Sequence, residues 1–560
     1  MRNFQLTSFL FFLVFLTLSF SVSWGALSSI LNVTPDGGDF ISCVESTSDN
    51  FTAMSRLIYT PVNSSFLPLW EARVMILRFN KSSTPKPSII VTPEDETQVR
   101  TILLCSKRYG YELRVRCGGH DFEGLSYTAD VPFVMLDLNR MRSVDVDVGN
   151  RTAWVQGGAV LGELYYAISN KTNSLYFPAG LCSTVGVGGF LGGGGYGNLI
   201  RKYGTGADNV IDVRFMNVNG VILNRKSMGE DLFWAIRGGG ASSFGIVLAW
   251  KLSLVSVPEL VTVFFVTKTI EEGATEILHK YQYVVPSGDR DLSMRVTINS
   301  AFIGNSTSQT IKFMFQGLYL GKIDKLLSLM NKTLPELNLT REDCEEVTMA
   351  QSSIVFNGVP SDTPLEFLKS RVTSVPLNTK SKLDYVRTAI PKHGLRKIWT
   401  KMFETDVGAA TLILHTFGGR NDEISETAIP YPHRAGVLYQ FHQFVNFSDQ
   451  ASDTTPASLR RINWLRSFND LIAPYVSRNP REAYSNYNDL DLGFEAGSYE
   501  QASVWGERYW KRHNFKKLIS IKAITDPENF FRHPQSIPVF PTYLLEKRQW
   551  SSVKEPYSSL

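Results

Sequence analysis

The sequence predicts an α+β protein with two domains, the second inserted into the first. At 560 residues, 43% of them hydrophobic, the chain exceeds the roughly 100–200 residues of one domain and has enough apolar material for two cores. From residue 85 to about 254, short β-branched runs alternate with glycine-rich or helical stretches. From about 256 to 477 the strand-like runs are longer and glycine is sparser, and from about residue 483 polar aromatic motifs return. The first and last parts are therefore assigned to one domain and the middle part to the other.

Several short runs in the first part predict individual elements. "SIIVTP" (88–93) is typical of a strand, and Glu94 to Tyr109 predicts a helix that begins after Thr92 and Pro93 and ends at Gly110. Further strands are predicted at "LRVRCGGHD" (113–121, ending in a tight turn), "FVMLDL" (133–138) and "AWVQGGA" (153–159).

The middle part predicts longer strands. These are "TVFFVTK" (262–268), "LSMRVTINSAF" (292–302) and "IKFMFQGLYLG" (311–321). A helix is predicted from Lys322 to Met330. The segment from Gly436 to Phe447 alternates as a long strand whose two faces carry different residues.

Residues 186–197, "GVGGFLGGGGYG", contain eight glycines in twelve positions. We expect neither a helix nor a strand here, because each interior glycine costs about 0.5–1 kcal/mol relative to alanine. Glycine permits close backbone approach, so that successive amides can converge on an anionic group. A flexible loop is the alternative. We favour a loop that contacts a pyrophosphate, since it adjoins the strand-rich segment "DNVIDVRFMNVNG" (208–220).

Two further glycine motifs lie in the same part of the chain. "RCGGHD" (116–121) places His120 just beyond a strand, although a lone histidine is more often a structural donor than a catalyst. In "DLFWAIRGGGASSFGIV" (231–247), Arg237 precedes three glycines. Together the three motifs line one domain with backbone donors, which suits a large phosphorylated cofactor.

The composition excludes several other classes. With 57 basic and 53 acidic residues the formal net charge is +4, so no nucleic-acid partner is expected. No metal site is expected either, because there is no C-x-x-C pair and the eight histidines are dispersed.

The first 25 residues predict a signal peptide. Arg2 precedes an apolar run over residues 10–20, and small residues follow around Gly25. The run is shorter than the ~20 residues of a membrane span. We therefore expect a secretory protein without a membrane span, bound for the apoplast, the vacuole or a vesicle derived from the endoplasmic reticulum. Ten Asn-x-Ser/Thr triplets are expected to carry glycans: Asn32, Asn50, Asn63, Asn80, Asn150, Asn170, Asn305, Asn331, Asn338 and Asn446.

Taken together, five motifs resemble the plant berberine bridge enzyme-like flavoproteins. They are "RCGGHDFEGLSY" (116–127), "CSTVGVGGFLGGGGYGNLIRKYG" (182–204), "DLFWAIRGGG" (231–240), "NYNDLDLG" (486–493) and "RYWKRHNFKKLISIKAITDPENFFRHPQSIP" (508–538). That family includes cannabinoid synthases, monolignol and oligosaccharide oxidases, and flavoprotein Diels–Alderases. The resemblance covers nearly the whole mature chain, with the motifs in the expected order.

The resemblance implies a vanillyl-alcohol-oxidase (PCMH-type) FAD-binding fold with an inserted α+β substrate domain, whose antiparallel sheet covers the flavin. The implied boundaries are 1–25 for the signal peptide, 26–84 for an N-terminal segment of the FAD domain, 85–255 for the FAD-binding domain, 256–479 for the substrate domain, 480–545 for a C-terminal segment that returns to the FAD domain, and 546–560 for a tail.

The resemblance also implies FAD attached twice, through His120 and through Cys182. Two tethers hold the ring rigidly and raise its potential as a hydride acceptor. Val185 matches the position that gates oxygen, where valine is typical of oxidases. The other residues implied to bind the cofactor are Arg116, Cys117, Gly118, Gly119, Asp121, Ser126, Thr184, Gly186, Gly188, Gly189, Gly192, Gly194, Tyr196, Gly197, Asn486 and Tyr487.

The five cysteines are an odd number, and the family pattern accounts for three of them. Cys43 and Cys105 match the family's disulfide, and Cys182 goes to the flavin. Cys117 and Cys344 remain, and we expect both to be buried thiols.

Tyr487 matches the family's catalytic base, and Tyr196 matches a second site tyrosine. The alternative for Tyr487 is a core aromatic that donates to Asp489. The chain departs from the alcohol-oxidising pattern at Phe122, which replaces a tyrosine, and at two positions of the substrate strand. There Gln440 and His442 stand where a lysine and a glutamine are usual, and the loss of lysine removes a cation that would lower the pKa of Tyr487.

His442 is expected either to replace that charge or to donate to the substrate, and Arg295 is a further candidate donor. The leading hypothesis is a monomeric oxidase of plant specialised metabolism. It would transfer a hydride from a lipophilic phenolic or prenylated substrate to FAD, with O₂ as acceptor, and so form a ring or a diene. The alternatives are a redox-neutral cyclase, a carbohydrate or monolignol oxidase, and a secreted binding protein with an inert flavin.

Overall fold

A computed structural model of the protein describes residues 37–372, 378–447, 455–494 and 496–540. The predicted signal peptide, the Asn32 triplet and the predicted tail lie outside the described residues. The other predicted glycosylation sites are exposed, except Asn80, which is half-buried. None of the helices in the described ranges has the length and apolar character needed to cross a membrane.

Helices and strands alternate along the chain, which confirms the predicted α+β class. The helices are α1 (Gly37–Thr47), α2 (Phe51–Ser55), α3 (Phe66–Glu71), α4 (Glu96–Arg108), α5 (Leu161–Ser169), α6 (Val187–Gly192), α7 (Ile200–Tyr203), α8 (Arg225–Ala235), α9 (Ala274–Val284), α10 (Ile323–Thr333), α11 (Met349–Phe356), α12 (Lys392–Met402), α13 (Arg420–Glu423), α14 (Pro456–Ile472) and α15 (Tyr499–Thr525).

The strands are β1 (Ile58–Tyr59), β2 (Ile89–Val91), β3 (Glu112–Arg116), β4 (Phe133–Asp137), β5 (Val144–Asp147), β6 (Thr152–Gln156), β7 (Leu175–Tyr176), β8 (Val210–Met216), β9 (Ile222–Leu223), β10 (Ile246–Ser253), β11 (Val255–Ser256), β12 (Val261–Thr269), β13 (Leu292–Phe302), β14 (Gln309–Tyr319), β15 (Cys344–Val347), β16 (Thr379–Val386), β17 (Ala410–Thr416) and β18 (Tyr439–Asn446).

The strands before residue 257 form three sheets. The order is β1-β2-β4-β3 in the first, with β2, β4 and β3 parallel, and β5-β6-β10-β8-β9 in the second, which is antiparallel. Strands β7 and β11 form a small third sheet. The disulfide between Cys43 and Cys105 joins α1 to α4 and confirms the predicted pairing. Helix α4 begins later than predicted, because the Asp95 carboxylate caps it by accepting from the amides of Thr97 and Gln98.

The strands from β12 to β18 form one seven-stranded antiparallel sheet, in the order β15-β12-β14-β13-β17-β18-β16. Its register places Arg295 opposite His415, and His415 opposite Gln440. Because side chains in one row share a face of the sheet, these three lie side by side. Strand β18 is shorter than the predicted Gly436–Phe447 strand, and α10 runs past the predicted end at Met330.

The last part of the chain returns to the first. The Trp510 indole donates to the carbonyl of Gly238 at 2.9 Å, and the Lys522 ammonium donates to the carbonyl of Ser243 at 2.6 Å. Both acceptors lie at the glycine turn after α8. Residues of α15 also share one hydrophobic core with β6, β8 and β10.

The glycine-rich segment corrects one prediction, since Val187–Gly192 forms helix α6 rather than a loop. Packing explains the glycines. A Cβ on Gly188 would lie 2.8 Å from Cys117 Sγ, and one on Gly192 would lie 3.2 Å from the Cβ of Ala241. Tertiary contacts that only glycine permits therefore outweigh its low helix propensity.

The cysteines outside the disulfide differ from prediction in one respect. Cys117, Cys182 and Cys344 are free thiols, and each is half-buried. Cys117 and Cys344 are thus thiols, as expected, but they are not fully enclosed.

Candidate active site

Two glycine-containing segments meet back to back at the centre of the site. The turn after β3 carries Gly118, and the segment before α6 carries Gly186. A Cβ on Gly118 would overlap the backbone nitrogen of Gly186, and a Cβ on Gly186 would overlap the nitrogen of Gly118. A Cβ on Gly119 would overlap the carbonyl oxygen of Arg73 in the same way. The sequence uses glycine at these positions because the backbones touch.

This contact brings His120 and Cys182 to the same hydroxyl. The Nε2 atom of His120 lies 2.8 Å from Oγ1 of Thr184, and Sγ of Cys182 lies 3.3 Å from that oxygen. Burial lowers the pKa of His120 to about 4, so its imidazole is neutral at physiological pH. The two predicted attachment residues, 62 positions apart in the sequence, are therefore neighbours in space.

The same region presents groups that a bound cofactor could satisfy. The Ser126 hydroxyl is buried without a hydrogen-bond partner, and the amides of Gly118, Gly119 and His120 have no acceptor among the described residues. Gly189 is exposed between the buried Gly188 and the half-buried Phe190, and no atom lies within 4 Å of the position its Cβ would take. Donors around an open space beside a helix N-terminus fit a ligand with carbonyl and phosphate oxygens, such as FAD.

Other predicted cofactor residues have their side chains occupied within the protein. The fully buried guanidinium of Arg116 pairs with Asp137 at 2.7 Å and donates to the carbonyls of Leu69 and Trp70 at 2.6 and 2.7 Å. The Arg116 side chain therefore holds the end of β3 in place, and only the backbone of this residue is left to contact a cofactor.

Asn486 and two of the glycines support the backbone in a similar way. The Asn486 amide donates to the carbonyl of Phe190 and to the Tyr484 hydroxyl, both at 2.9 Å. A Cβ on Gly194 would lie 3.0 Å from the Tyr431 ring, and one on Gly197 would overlap the carbonyl of Ala179. These residues allow chain segments to pack closely around the site.

Tyr196 and Tyr487 form a hydrogen-bonded phenol pair, with 2.8 Å between the two hydroxyl oxygens. Burial raises the pKa of Tyr487, whereas the hydrogen bond from Tyr196 and the charge of Arg295 lower it. The pKa of Tyr196 is raised well above its usual value by burial and by the neighbouring phenol. Burial therefore raises the pKa of both phenols, and the charge of Arg295 opposes that shift in each.

The alternative reading of Tyr487 is wrong, because its hydroxyl does not reach Asp489. That carboxylate instead accepts from the Lys382 ammonium at 2.7 Å.

Aromatic rings surround the phenol of Tyr487. The His442 ring stacks on it, with centroids 4.4 Å apart, and the edge of Phe122 meets it at 5.0 Å. Phe444 lies 3.8 Å from the His442 ring. The replacement of a polar tyrosine by Phe122 thus adds to an apolar wall.

His442 does not supply the missing charge. Burial lowers its pKa well below the usual value, so the ring is neutral. Its Nε2 atom is buried without a partner, which leaves the second reading, a donor or acceptor toward the substrate.

Arg295 is the cation whose charge acts on both phenols of the pair. Its Nη2 atom donates to Gln316 at 2.9 Å, its Nε atom has no partner, and no carboxylate of the described residues pairs with it. Its charge lowers the pKa of both Tyr196 and Tyr487. Relatives usually carry the positive charge on a lysine at the position of Gln440, on β18. In this chain it comes from Arg295, on β13, two strands away in the sheet.

The row that begins at Arg295 contains one site residue that sequence reasoning missed. His415 meets the Tyr196 ring at 5.1 Å, edge to face, and its Nε2 atom has no partner. Burial and the Arg295 charge lower its pKa to about 3. A histidine within the apolar run "ATLILHT" (410–416) was the available signal. The next residue in the row, Gln440, donates to the Tyr385 hydroxyl at 3.3 Å and keeps its Oε1 atom free.

Two segments of the chain match models of known protein families. Residues 87–225 match a family model described as an FAD binding domain, and residues 483–538 match one described as berberine and berberine-like. A tetrahydroberberine oxidase from Berberis wilsoniae is 44% identical over 90% of this chain and 94% of its own.

Solved structures of related proteins have the same fold over most of this chain. Berberine bridge enzyme-like protein 28 of Arabidopsis thaliana superposes with a TM-score of 0.83 at 41% identity, over 90% of this chain and 99% of its own. The grass pollen allergen Phl p 4, described as a glucose dehydrogenase, has a TM-score of 0.83 at 38% identity, over 90% of this chain and 99% of its own. A variant of that allergen with valine in place of isoleucine is described as a glucose oxidase.

Proposed function

This chain belongs to the berberine bridge enzyme-like family of FAD-linked oxidoreductases, and we propose that within this family it is an oxidase of lipophilic phenolic or prenylated compounds in plant specialised metabolism. The observation that carries the proposal is the half-buried, hydrogen-bonded Tyr196–Tyr487 pair, which feels the charge of Arg295 and lies against an apolar aromatic wall. The reaction proposed is oxidative ring closure or diene formation by a soluble, monomeric enzyme of the secretory pathway.

In the proposed mechanism, FAD held at His120 and Cys182 would supply the acceptor for a hydride from a substrate carbon, with O₂ as the final electron acceptor. Tyr487 takes the proton from the substrate hydroxyl as that hydride leaves. The Tyr196 hydroxyl donates to the Tyr487 oxygen, and the charge of Arg295 stabilises the tyrosinate. The neutral ring of His442, stacked on the phenol, keeps water from it.

His120 and Cys182 would hold the cofactor covalently. Their shared contact with Thr184 supports this, because it places the imidazole and the thiol next to each other. A thiolate at Cys182 raises the pKa of Tyr487, whereas a thioether carries no charge, so attachment would also favour the base. We expect acid-denatured protein to stay yellow, each of His120→Ala and Cys182→Ala to retain colour through the other tether, and the double variant to lose it.

The polar atoms left without partners suggest the substrate. The polar atoms without partners here are isolated from one another: Nε of Arg295, Nε2 of His415, Oε1 of Gln440 and Nε2 of His442. The neighbouring Phe122 and Phe444 are apolar. A phenol with a few oxygens and an apolar chain suits such a surface better than a sugar with a hydroxyl on each carbon. The relationship to a tetrahydroberberine oxidase supports a lipophilic substrate.

Use of O₂ is supported by Val185. The allergen described as a glucose dehydrogenase is described as a glucose oxidase when one isoleucine becomes valine. Val185, at the matching position of this chain, would likewise favour reaction of the reduced flavin with O₂.

A redox-neutral cyclase is the second candidate. The free donors of Arg295 and His442 are the observation in its favour, because they could polarise a carbonyl for a cycloaddition without removing a hydride. The likeness to a glucose dehydrogenase keeps a carbohydrate oxidase as the third candidate.

Anaerobic mixing with candidate substrates separates these functions. Bleaching of the flavin by prenylated phenols, but not by glucose or cello-oligosaccharides, is the expected result. Bleaching by sugars alone would overturn the proposal. Product formation with neither bleaching nor peroxide would identify a cyclase.

Tyr487→Phe should slow this bleaching by at least ~100-fold, in line with the usual contribution of a general base. Tyr439→Phe is the control, because it removes a buried phenol of β18 whose hydroxyl bonds to Gln282 rather than to the phenol pair. Near-normal bleaching in Tyr487→Phe would remove the base assignment.

A further inference from the structure

The loop after His120 and the segment after Tyr487 are bonded to each other. The Asn488 amide donates to Oδ2 of Asp121 at 2.9 Å. The other oxygen of Asp121 accepts from the amides of Glu123 and Leu125 at 2.9 and 3.0 Å, which holds the loop in a tight turn. The two residues so joined are the immediate chain neighbours of the predicted tether and of the predicted base.

A buried ion-pair network makes the same connection a second time. The ammonium of Lys380, on β16, lies 2.9 Å from Glu123, 3.6 Å from Asp489 and 3.7 Å from Asp491. Glu123 also pairs with Arg78. Lys380, Glu123 and Asp489 are each only 5–6% exposed at the side chain. The ammonium of one sheet residue thus contacts both the loop after His120 and the segment after Tyr487.

We propose that Asn488 and Lys380 are positioning residues. Through their bonds to Asp121 and Glu123, they fix the Tyr487 phenol relative to a flavin ring attached at His120. This inference rests on the proposed function for the identity of the two groups it positions. Neither Asn488 nor Lys380 needs to touch the substrate. Their effect is exerted through the backbone of residues 120–123 and 487–491.

The separation of these two groups matters because the rate of a reaction between positioned groups depends steeply on the distance between them. A misplacement of about 1 Å can cost about 100-fold in rate. Nothing in the backbone sequence itself holds the two segments together, because Asp121 and Asn488 are 367 residues apart. The amide–carboxylate bond is the shorter of two direct hydrogen bonds between the segments, the other running from the Leu490 amide to Glu123 at 3.4 Å.

Asn488→Asp and Asn488→Ala form a matched pair that tests this role. Both remove the amide donor, but the aspartate can regain a bond to Asp121 when the two carboxyls share a proton. We expect flavin reduction to fall about 10–100-fold in both variants at pH 8, with the substrate Kd changed less than about threefold. As the pH falls, the rate of Asn488→Asp relative to wild type should recover, while that of Asn488→Ala stays low.

The direction follows from the charges around the pair. Burial and the neighbouring Glu123 carboxylate raise the pKa of Asp121, and Arg114 and Tyr127 face it from β3 and from its own loop. Below the pKa of the shared proton, the protonated carboxyl donates and the link is restored. Above it, two adjacent carboxylates repel. Normalising to wild type at each pH removes the titration of Tyr487 itself.

Three results would overturn the positioning role. They are an unchanged reduction rate in both variants, a loss confined to Kd, and a relative rate of Asn488→Asp that does not depend on pH. A crystal structure of Asn488→Ala gives a readout that needs no turnover, since the separation of residues 120 and 487 should change by about 0.5 Å or more. If wild type were not reduced by any phenolic substrate, the proposed function would fail, while this separation would still test the link.

Discussion

At the scale of the residue, Arg295 explains how the site retains a cation although the expected lysine is absent. Its charge lowers the pKa of both phenols, and its Nε atom has no partner. Gln440 occupies a motif position but is neutral, so the charge has moved from β18 to β13 while staying in the same row of the sheet.

Arg295→Gln should therefore shift the pH dependence of flavin reduction. Removing the cation raises the pKa of Tyr487, because the tyrosinate loses its stabilising charge. The rising limb of the rate should move to higher pH by about one unit or more. Arg341→Gln, which removes an exposed arginine paired with Asp324, is the control. A limb that stays in place would show that Arg295 does not act on the base.

The sequence identified most of these residues but not their contacts. Tyr196 and Tyr487 were found by motif, yet they are 291 positions apart and their hydrogen bond exists only because β13 to β18 and the C-terminal segment enclose them. The charge state of His442 depends on its burial, which no local pattern reports. His415 was missed because a histidine in an apolar strand is usually structural.

At the scale of the element, helix α6 shows tertiary packing outweighing propensity. Its glycines differ in what surrounds them. Gly188 and Gly192 lie against Cys117 and Ala241, whereas Gly189 faces open space. Gly186, just before the helix, touches the backbone of Gly118. The sequence pattern indicated glycine-dependent close approach correctly, but it could not say which glycine approaches protein and which approaches ligand.

Gly118→Ala and Gly189→Ala should consequently fail in different ways. The first forces two backbones apart, and we expect a loss of about 1–3 kcal/mol in the free energy of unfolding. The second meets no protein atom and removes a glycine from a helix, so stability should stay the same or rise by up to about 1 kcal/mol, while the ratio of flavin to protein absorbance falls. Full flavin content in Gly189→Ala would place the cofactor elsewhere.

At the scale of the whole molecule, buried neutral histidines make stability depend on pH. His415 is 2% exposed, and its pKa is lowered to about 3 by burial and by Arg295. The pKa of His433, which is fully buried, is also lowered. Below pH 6.5 the unfolded chain protonates these rings and the native protein does not, so acid favours unfolding.

The free energy of unfolding should therefore fall from pH 6.5 toward pH 4 and lose this dependence above pH 7. His415→Gln should reduce the slope by about 1 kcal/mol per pH unit in that window. Urea unfolding at pH 7, 6 and 5 measures it, with the exposed His393→Gln as control. An equal slope in both variants would contradict a neutral His415.

The overall architecture was largely predictable. Glycine density, strand length and the returning aromatic motifs indicated an inserted unit, and the sheet of β12–β18 lies where it was expected. The ends of elements were less predictable, since they depend on single side chains such as Asp95, which caps α4.

The link between Asp121 and Asn488 also bears on the order of events during biosynthesis. Asp121 leaves the ribosome 367 residues before Asn488, which at about 5–20 residues per second is a delay of about 20–70 s. Throughout that interval the nascent chain has His120 and Asp121 but neither Tyr487 nor Asn488. The proposed reactive centre can thus be assembled only after Asn488, in the last quarter of the 560 residues, has been made.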